Sequence, residues 1–481
     1  MPESLLILMP AIPETLLIVG AIALLLIPPN ARYIYGCALL LLVVAFACQD
    51  QNPGLDIFQS MDPTSSVTTF SGMFVVDCFI KIQKIVLCVW GLIYLLITHE
   101  RNKNVLTGVG LFSFLIMLVG GMCLLSANDF RTLFLGSELL AFATIAFLNS
   151  NDKNLTFKVF IIQGVGSALY LFGSAILYGV SQTTDFSLLI SKLLETNPSA
   201  QYNPFVCLAI ILILLGGLTK MLFVPFHSVF METSEKEEWP IFTAINFISS
   251  TVYMSVLMRL FVSFNCDAFK PMLLIIGELG MGLGFLNALR QSQIRNIIAS
   301  QTIGTAGMLL VGFGVSYSNI VSSGQFILFM HGLSCLAVYA CVSFAQRHSG
   351  PIVTVSHLAT VRSRSPVTAV VLGFSVLNLM NMPPFPGFIP LLFFAKNLIE
   401  ERAFITLGSV MLCKIMCMYV GIKIVKSLMI CGKGSRVRSL PIAATCTVAV
   451  LICAMVLAGK VFNTFMLSET ALKCYEYRFR H

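Results

Sequence analysis

The chain has 481 residues, 57% of them hydrophobic and 11% charged. A soluble domain carries about 25% charged residues, so these proportions exclude an ordinary water-soluble enzyme and describe a polytopic membrane protein. The net charge of +8 sits in short connections between apolar runs, with no basic face for nucleic acid. The 15 cysteines fall mostly inside apolar runs, where a thiol is a small hydrophobe and not part of a secreted disulfide framework.

A bilayer core about 30 Å thick needs about 20 apolar residues as helix. Runs of that order fall near 5–27, 34–48, 72–98, 107–126, 129–148, 156–180, 205–229, 240–263, 272–290, 296–316, 324–346, 366–385, 405–428 and 440–463. The half-segment 386–399 joins 366–385 as one interrupted helix, giving an all-α fold of about fourteen transmembrane helices. The opening Met1-Pro2-Glu3-Ser4 lacks a basic signal-peptide start, so the first run is expected to be a permanent span. The two longest connections, 49–71 and 181–204, are polar loops, and no linker divides the chain. Lys and Arg gather in alternate connections, at Arg32, Arg101, Lys236, Arg290, Arg295 and Arg347. The intervening ones hold only Arg131, Lys192, Lys270 and Arg402, which places both termini away from the positive side.

An ionisable residue inside a span costs at least about 2.5–3.5 kcal/mol on insertion scales, so each is a functional candidate. Glu138 stands in the middle of 129–148, too deep for its short stem to reach water. Lys220 lies near the centre of 205–229, followed by Val224-Pro225-Phe226-His227. Pro225 has no N–H, so the carbonyl of Met221 is expected to lose its helical partner and the helix to break. His227 could relay protons or cap that break. A second interruption, Asn378-Leu379-Met380-Asn381-Met382-Pro383-Pro384-Phe385-Pro386-Gly387-Phe388-Ile389-Pro390, precedes Lys396. Lys158, near the start of 156–180, could carry protons or snorkel. Asp77, Lys81 and Lys84 share one helical face and read as a paired stripe. Glu278 sits on a small-residue face and needs a partner. Lys414 and His331 are further candidates for a polar chain. The sequence has no iron–sulfur Cys run, no nucleotide-binding glycine loop and no spaced pair of span histidines for haem.

The two Pro-Phe breaks occupy the fourth span of consecutive five-span blocks, 107–263 and 272–428. An odd span number reverses orientation, which is the pattern of an inverted repeat in ion carriers. Residues 1–106 form a leading three-helix segment and 429–481 a final helix and tail.

The stretch Ser126-Ala127-Asn128-Asp129-Phe130-Arg131 through Glu138-Leu139-Leu140 resembles the antiporter-like subunits of respiratory complex I, the proton-pumping NADH:quinone oxidoreductase. Further stretches are similar to its subunit 2, called N in bacteria. They are Ile12-Pro13-Glu14-Thr15, Gly72-Met73-Phe74-Val75-Val76-Asp77, Thr183-Thr184-Asp185-Phe186, Val224-Pro225-Phe226-His227 and Leu289-Arg290-Gln291. The resemblance spans roughly residues 10–425. It implies a membrane-arm subunit that translocates protons through buried Lys and Glu residues. Glu138 matches the family's mid-membrane glutamate, Lys220 its broken-helix lysine and Lys158 a third lysine. It further implies that this chain binds no cofactor, while NADH, FMN, iron–sulfur clusters and quinone belong to partner subunits. The neighbours it implies are other membrane-arm subunits and lipids, and the expected place is the mitochondrial inner membrane or, alternatively, a bacterial plasma membrane. Two positions depart from the family: no lysine stands near Ser250-Thr251, and Leu391 replaces the one after the second break, leaving Lys396 as a candidate only if its helix is turned. A cation/proton antiporter subunit, or a scaffold subunit that has lost pumping, fits the same residues.

Overall fold

The computed structural model describes residues 11–28, 31–48, 67–70, 72–99, 107–148, 153–186, 188–189, 204–264, 269–349 and 354–429. The predicted span 440–463 and the tail after it lie outside the described residues. Nine of the described helices are long and apolar enough to cross a membrane, and four shorter apolar helices accompany them. Each predicted run up to residue 428 overlaps one of them, residues 5–10 of the first run lying outside the described residues.

The chain divides into two units. The first is built from residues up to Phe226 together with Ile248–Phe269. It contains α1 (Ile12–Leu26), α2 (Arg32–Cys48), α3 (Cys78–His99), α4 (Gly108–Ser126), α5 (Phe130–Phe147), α6 (Lys153–Ser181) and α7 (Pro204–Lys220). The second comprises His227–Phe247 and the described residues from Lys270 to Met429. It contains α8 (His227–Lys236), α10 (Lys270–Arg290), α11 (Ile294–Val315), α12 (Tyr317–Ser349), α13 (Leu358–Arg364), α14 (Pro366–Leu379), α15 (Phe388–Glu400) and α16 (Phe404–Met429). Helix α9 (Trp239–Phe264) gives its first residues to the second unit and the remainder to the first.

One predicted span starts later than hydropathy suggested. Residues 72–77 do not open α3; Phe74–Val76 is a strand, β2, paired antiparallel with β1 (Val67–Thr69). The local sequence explains this: Gly72 has φ +86°, Val75 and Val76 are β-branched, and Asp77 Oδ1 accepts the Ile80 N–H at 2.7 Å, fixing where the helix begins. The hairpin joins a polar clasp at the start of α5. Asn128 N–H donates to the Met73 carbonyl at 2.9 Å and Phe130 N–H to the Thr184 carbonyl at 3.1 Å. Asp129 caps α5 by accepting the Arg131 N–H, and the Thr184 hydroxyl donates to its other oxygen, both at 2.7 Å. Three of the stretches that carry the family resemblance therefore meet here, as structure and not as chemistry.

Close helix approach is bought by glycine in each unit. A Cβ on Gly216 of α7 would lie 2.9 Å from the Gly166 carbonyl oxygen and 3.0 Å from the Tyr170 nitrogen of α6; no real side chain fits there, so α6 and α7 pack backbone to backbone. In the second unit Gly277, Gly280 and Gly284 are buried against α11. Glu278, on the adjoining face, finds the partner the sequence required: it accepts the Ser409 hydroxyl of α16 at 2.6 Å.

Candidate functional site

The two helix breaks are built alike. In the first unit α7 ends at Lys220, Leu222 takes φ +56°, and two backbone bonds close the turn: Leu222 N–H to Thr219 and Phe223 N–H to Leu218, each 2.9 Å. In the second unit α14 ends at Leu379, Asn381 takes φ +55°, and Asn381 N–H to Asn378 and Met382 N–H to Leu377 close the same turn, each 3.0 Å. Both are left-handed C-terminal caps of the Schellman type. Each is followed by a cis proline peptide, Val224–Pro225 and Pro383–Pro384. The break thus comes before the proline. The carbonyl of the last helical residue is held by a glutamine: Gln163 Nε2 of α6 donates to the Lys220 carbonyl at 3.0 Å, and Gln301 Nε2 of α11 to the Leu379 carbonyl at 3.3 Å.

At the first break the side chain at the end of α7 meets a carboxylate. Lys220 Nζ lies 2.8 Å from Glu138 Oε1 of α5. The lysine side chain is 3% exposed and the glutamate 20%. Ser167 of α6, one turn after Gln163, donates its hydroxyl to the same Oε1 at 2.5 Å. Glu138 is therefore doubly bonded while Lys220 is buried, the condition under which a paired charge survives away from water. Beside the pair, Tyr253 of α9 donates to the Ser137 carbonyl at 3.2 Å. A cavity of about 20 Å³, lined by Lys220, Ser137, Tyr170 and Tyr253 among mostly apolar neighbours, adjoins them. That volume accommodates about one water molecule.

At the second break the corresponding end residue is Leu379, and the ammonium comes from elsewhere. Lys414 of α16, 1% exposed, donates to Asn381 Oδ1 at 2.8 Å and lies 5.0 Å over the Phe285 ring. Asn381 in turn donates to the Gly387 carbonyl, and Asn378 Oδ1 accepts the Gly387 N–H, both at 2.7 Å. His331 of α12, also buried, is 3.0 Å from the Thr302 hydroxyl.

Of the residues singled out from the sequence, the structure brings Glu138 and Lys220 together. Lys158 stands on the exposed side of α6 beside Phe157 and Phe160, about 13 Å along the helix from Ser167. His227 opens α8, half-buried. Lys396 is not brought to the second break: its side chain is 66% exposed and 3.5 Å from Glu400 one turn on, while Leu391 is buried. The stripe on α3 reaches across its bundle, for Lys84 Nζ is 2.5 Å from Glu14 of α1, both buried. Ser167 and Gln163 carried no sequence signal of their own, since a serine or glutamine inside an apolar run costs little and is common; Asn381 lay within the second interruption but had no role assigned to it. Among the described residues no group of three or more His, Cys, Asp or Glu side chains is arranged to hold a metal.

Comparison with known proteins agrees with this fold. A chain of the archaeal membrane-bound sulfane sulfur reductase superposes with TM-score 0.83 at 18% identity, covering 99% of this chain and 98% of that one. A chain of respiratory complex I from Thermus thermophilus superposes with TM-score 0.73 at 17% identity, over 94% and 99% of the two chains; at such identities the likeness is one of fold. In sequence, the NADH-quinone oxidoreductase subunit N of Parvibaculum lavamentivorans is 27% identical over 399 residues, 79% of each chain. That of Geobacillus kaustophilus is 27% identical over 75% of this chain and 76% of its own. The subunit that the sequence resembled is thus the one its curated relatives are named for. Residues 127–416, more than half the chain, match the transmembrane family shared by NADH:quinone oxidoreductases and Mrp antiporters, and the protein belongs to that family.

Proposed function

We propose that this chain is a membrane-arm subunit of a proton-translocating NADH:quinone oxidoreductase, and that Lys220 alternately holds and releases a proton under the control of Glu138. The single observation that carries the reading is the buried ion pair at the end of a broken helix, 2.8 Å across. Two unit charges about 4 Å apart at an effective dielectric of about 20 attract by about 4 kcal/mol. Moving one charge against 100 mV costs about 2.3 kcal/mol. Making and parting one such pair is therefore work of the size that pumping one proton demands. Ser167 tunes the exchange by bonding the carboxylate when the lysine leaves it.

Electron transfer from NADH to quinone takes place on FMN and iron–sulfur clusters in partner subunits, and its conformational consequences reach this chain through neighbouring membrane-arm subunits. Its place is an energy-coupling membrane: the mitochondrial inner membrane by the phenylalanine- and cysteine-rich composition of the spans, the bacterial plasma membrane by the source of the relatives named above. Lys220→Ala in the assembled enzyme tests the role. Fewer protons per NADH oxidised, with assembly retained, is the expected result; an unchanged ratio overturns it. Sodium-dependent transport by the chain without NADH oxidation would instead favour the antiporter branch of the family.

A further inference from the structure

The two breaks share their backbone but not their chemistry. The first ends on an ammonium, Lys220, whereas the second ends on Leu379, which can hold no proton. The second unit nevertheless places an amine at its break, donated by the next long helix. Counting from Phe404 in α16, Lys414 stands as far along as Ser249 does from Trp239 in α9, the next long helix after the first break. The first repeat has its lysine on the broken helix and a serine on the following one; the second has a leucine on the broken helix and a lysine on the following one.

We propose that Lys414 is a second proton-holding site of this chain, loaded and unloaded at the second helix break. Its surroundings suit a group that must gain and lose charge. The Asn381 side-chain oxygen at 2.8 Å and the face of Phe285 at 5.0 Å both attract an ammonium. Complete burial opposes one, and among the described residues no carboxylate stands within ion-pair distance of it. A purely structural cation would be paired, because an unpaired buried charge is the costly case. Asn381 is itself fixed by the left-handed cap and by Gly387, so the acceptor keeps its place whichever form the amine takes. On release one N–H bond of the ammonium breaks, its electron pair stays on Nζ and the proton passes to water; on loading the reverse occurs. Neither a covalent partner nor a redox centre is needed.

This rests on the pumping reading above, and the test separates the two. The assembled enzyme carrying Lys414→Arg, Lys414→Gln or Lys220→Ala is reconstituted into vesicles, and protons translocated per NADH oxidised are measured. Arginine keeps the charge and can still donate to Asn381, but does not release its proton; glutamine keeps a donor and carries no charge. The expected result is a lowered ratio in both Lys414 variants, with the complex assembled. If Lys220→Ala lowers the ratio and both Lys414 variants keep it, Lys414 is a packing residue and the proposal fails while the pumping reading stands. If none of the three lowers it, both fail. Loss of assembly in both Lys414 variants overturns the proposal as well, by making the amine a structural necessity.

Discussion

Gln163 holds the backbone carbonyl of Lys220 with its side-chain amide at 3.0 Å, and one turn further along the same helix Ser167 holds the carboxylate that pairs with the lysine's side chain. Helix α6 therefore fixes both ends of the site, the chain termination and the charge. Gln163→Leu leaves the Lys220 carbonyl buried without its donor, which costs about 1–3 kcal/mol. A fall in the midpoint of thermal inactivation is expected, together with fewer protons per NADH. The equivalent Gln301→Leu is expected to lower thermal stability alike.

Removing one charge of a buried pair is worse than removing both. Glu138→Leu strands the Lys220 ammonium and should cost about 3–5 kcal/mol, whereas Glu138→Leu combined with Lys220→Met should recover much of that. Blue-native gels are expected to show poor assembly for the single variant and restored assembly for the double. Proton translocation should be restored by neither, and recovery of pumping in the double variant would show that the pair is only a clamp.

The α6–α7 contact predicts a steric effect. A methyl group at Gly216 meets the Gly166 carbonyl and Tyr170 backbone at 2.9 and 3.0 Å, so Gly216→Ala forces the two helices apart at a cost of about 1–3 kcal/mol. Lower thermal stability with weakened pumping is expected, because the helices that move carry Ser167 and Lys220.

The clasp at the start of α5 is sensitive to acid. Burial alone would push the Asp129 carboxyl up, but hydrogen bonds from the Arg131 side chain and N–H and from the Thr184 hydroxyl, with the guanidinium charge, hold it below the ordinary carboxylate value. A carboxyl held lower in the folded than in the unfolded chain contributes stability that is complete above the unfolded value and is lost as pH falls through the folded one. Asp129→Asn should therefore lower the stability of the detergent-solubilised protein at neutral pH and flatten its acid limb, read by thermal unfolding between about pH 3 and 7.

Lys396 gives the opposite prediction. An exposed pair one helical turn apart is worth about 0.3–0.5 kcal/mol, so Lys396→Ala should leave both thermal stability and the proton ratio near their original values in the same assays.

Hydropathy made the spans legible because a bilayer demands apolar length, and Glu138 and Lys220 stood out because charge at that depth is costly. What one sequence does not display is rotation about a helix axis and the partner across a bundle. Lys396 and Lys414 read alike as lysines in apolar helices, yet one turns to the surface and the other to Asn381. The α3 stripe likewise suggested pairing along its own helix, whereas Lys84 crosses to Glu14. Residues 72–77 read as the beginning of a span because Phe74, Val75 and Val76 are as apolar in a strand as in a helix. The proline marked each break correctly in place but not in cause, since the left-handed cap at Leu222 or Asn381 ends the helix first.

That cap has a historical corollary. Backbone atoms and a glutamine amide complete the turn, so its shape makes no demand on whether lysine or leucine ends the helix. Chains that keep this turn could therefore shed or relocate their titrating amine without unravelling, and inventories of such amines should drift between lineages faster than the kinked backbone that hosts them.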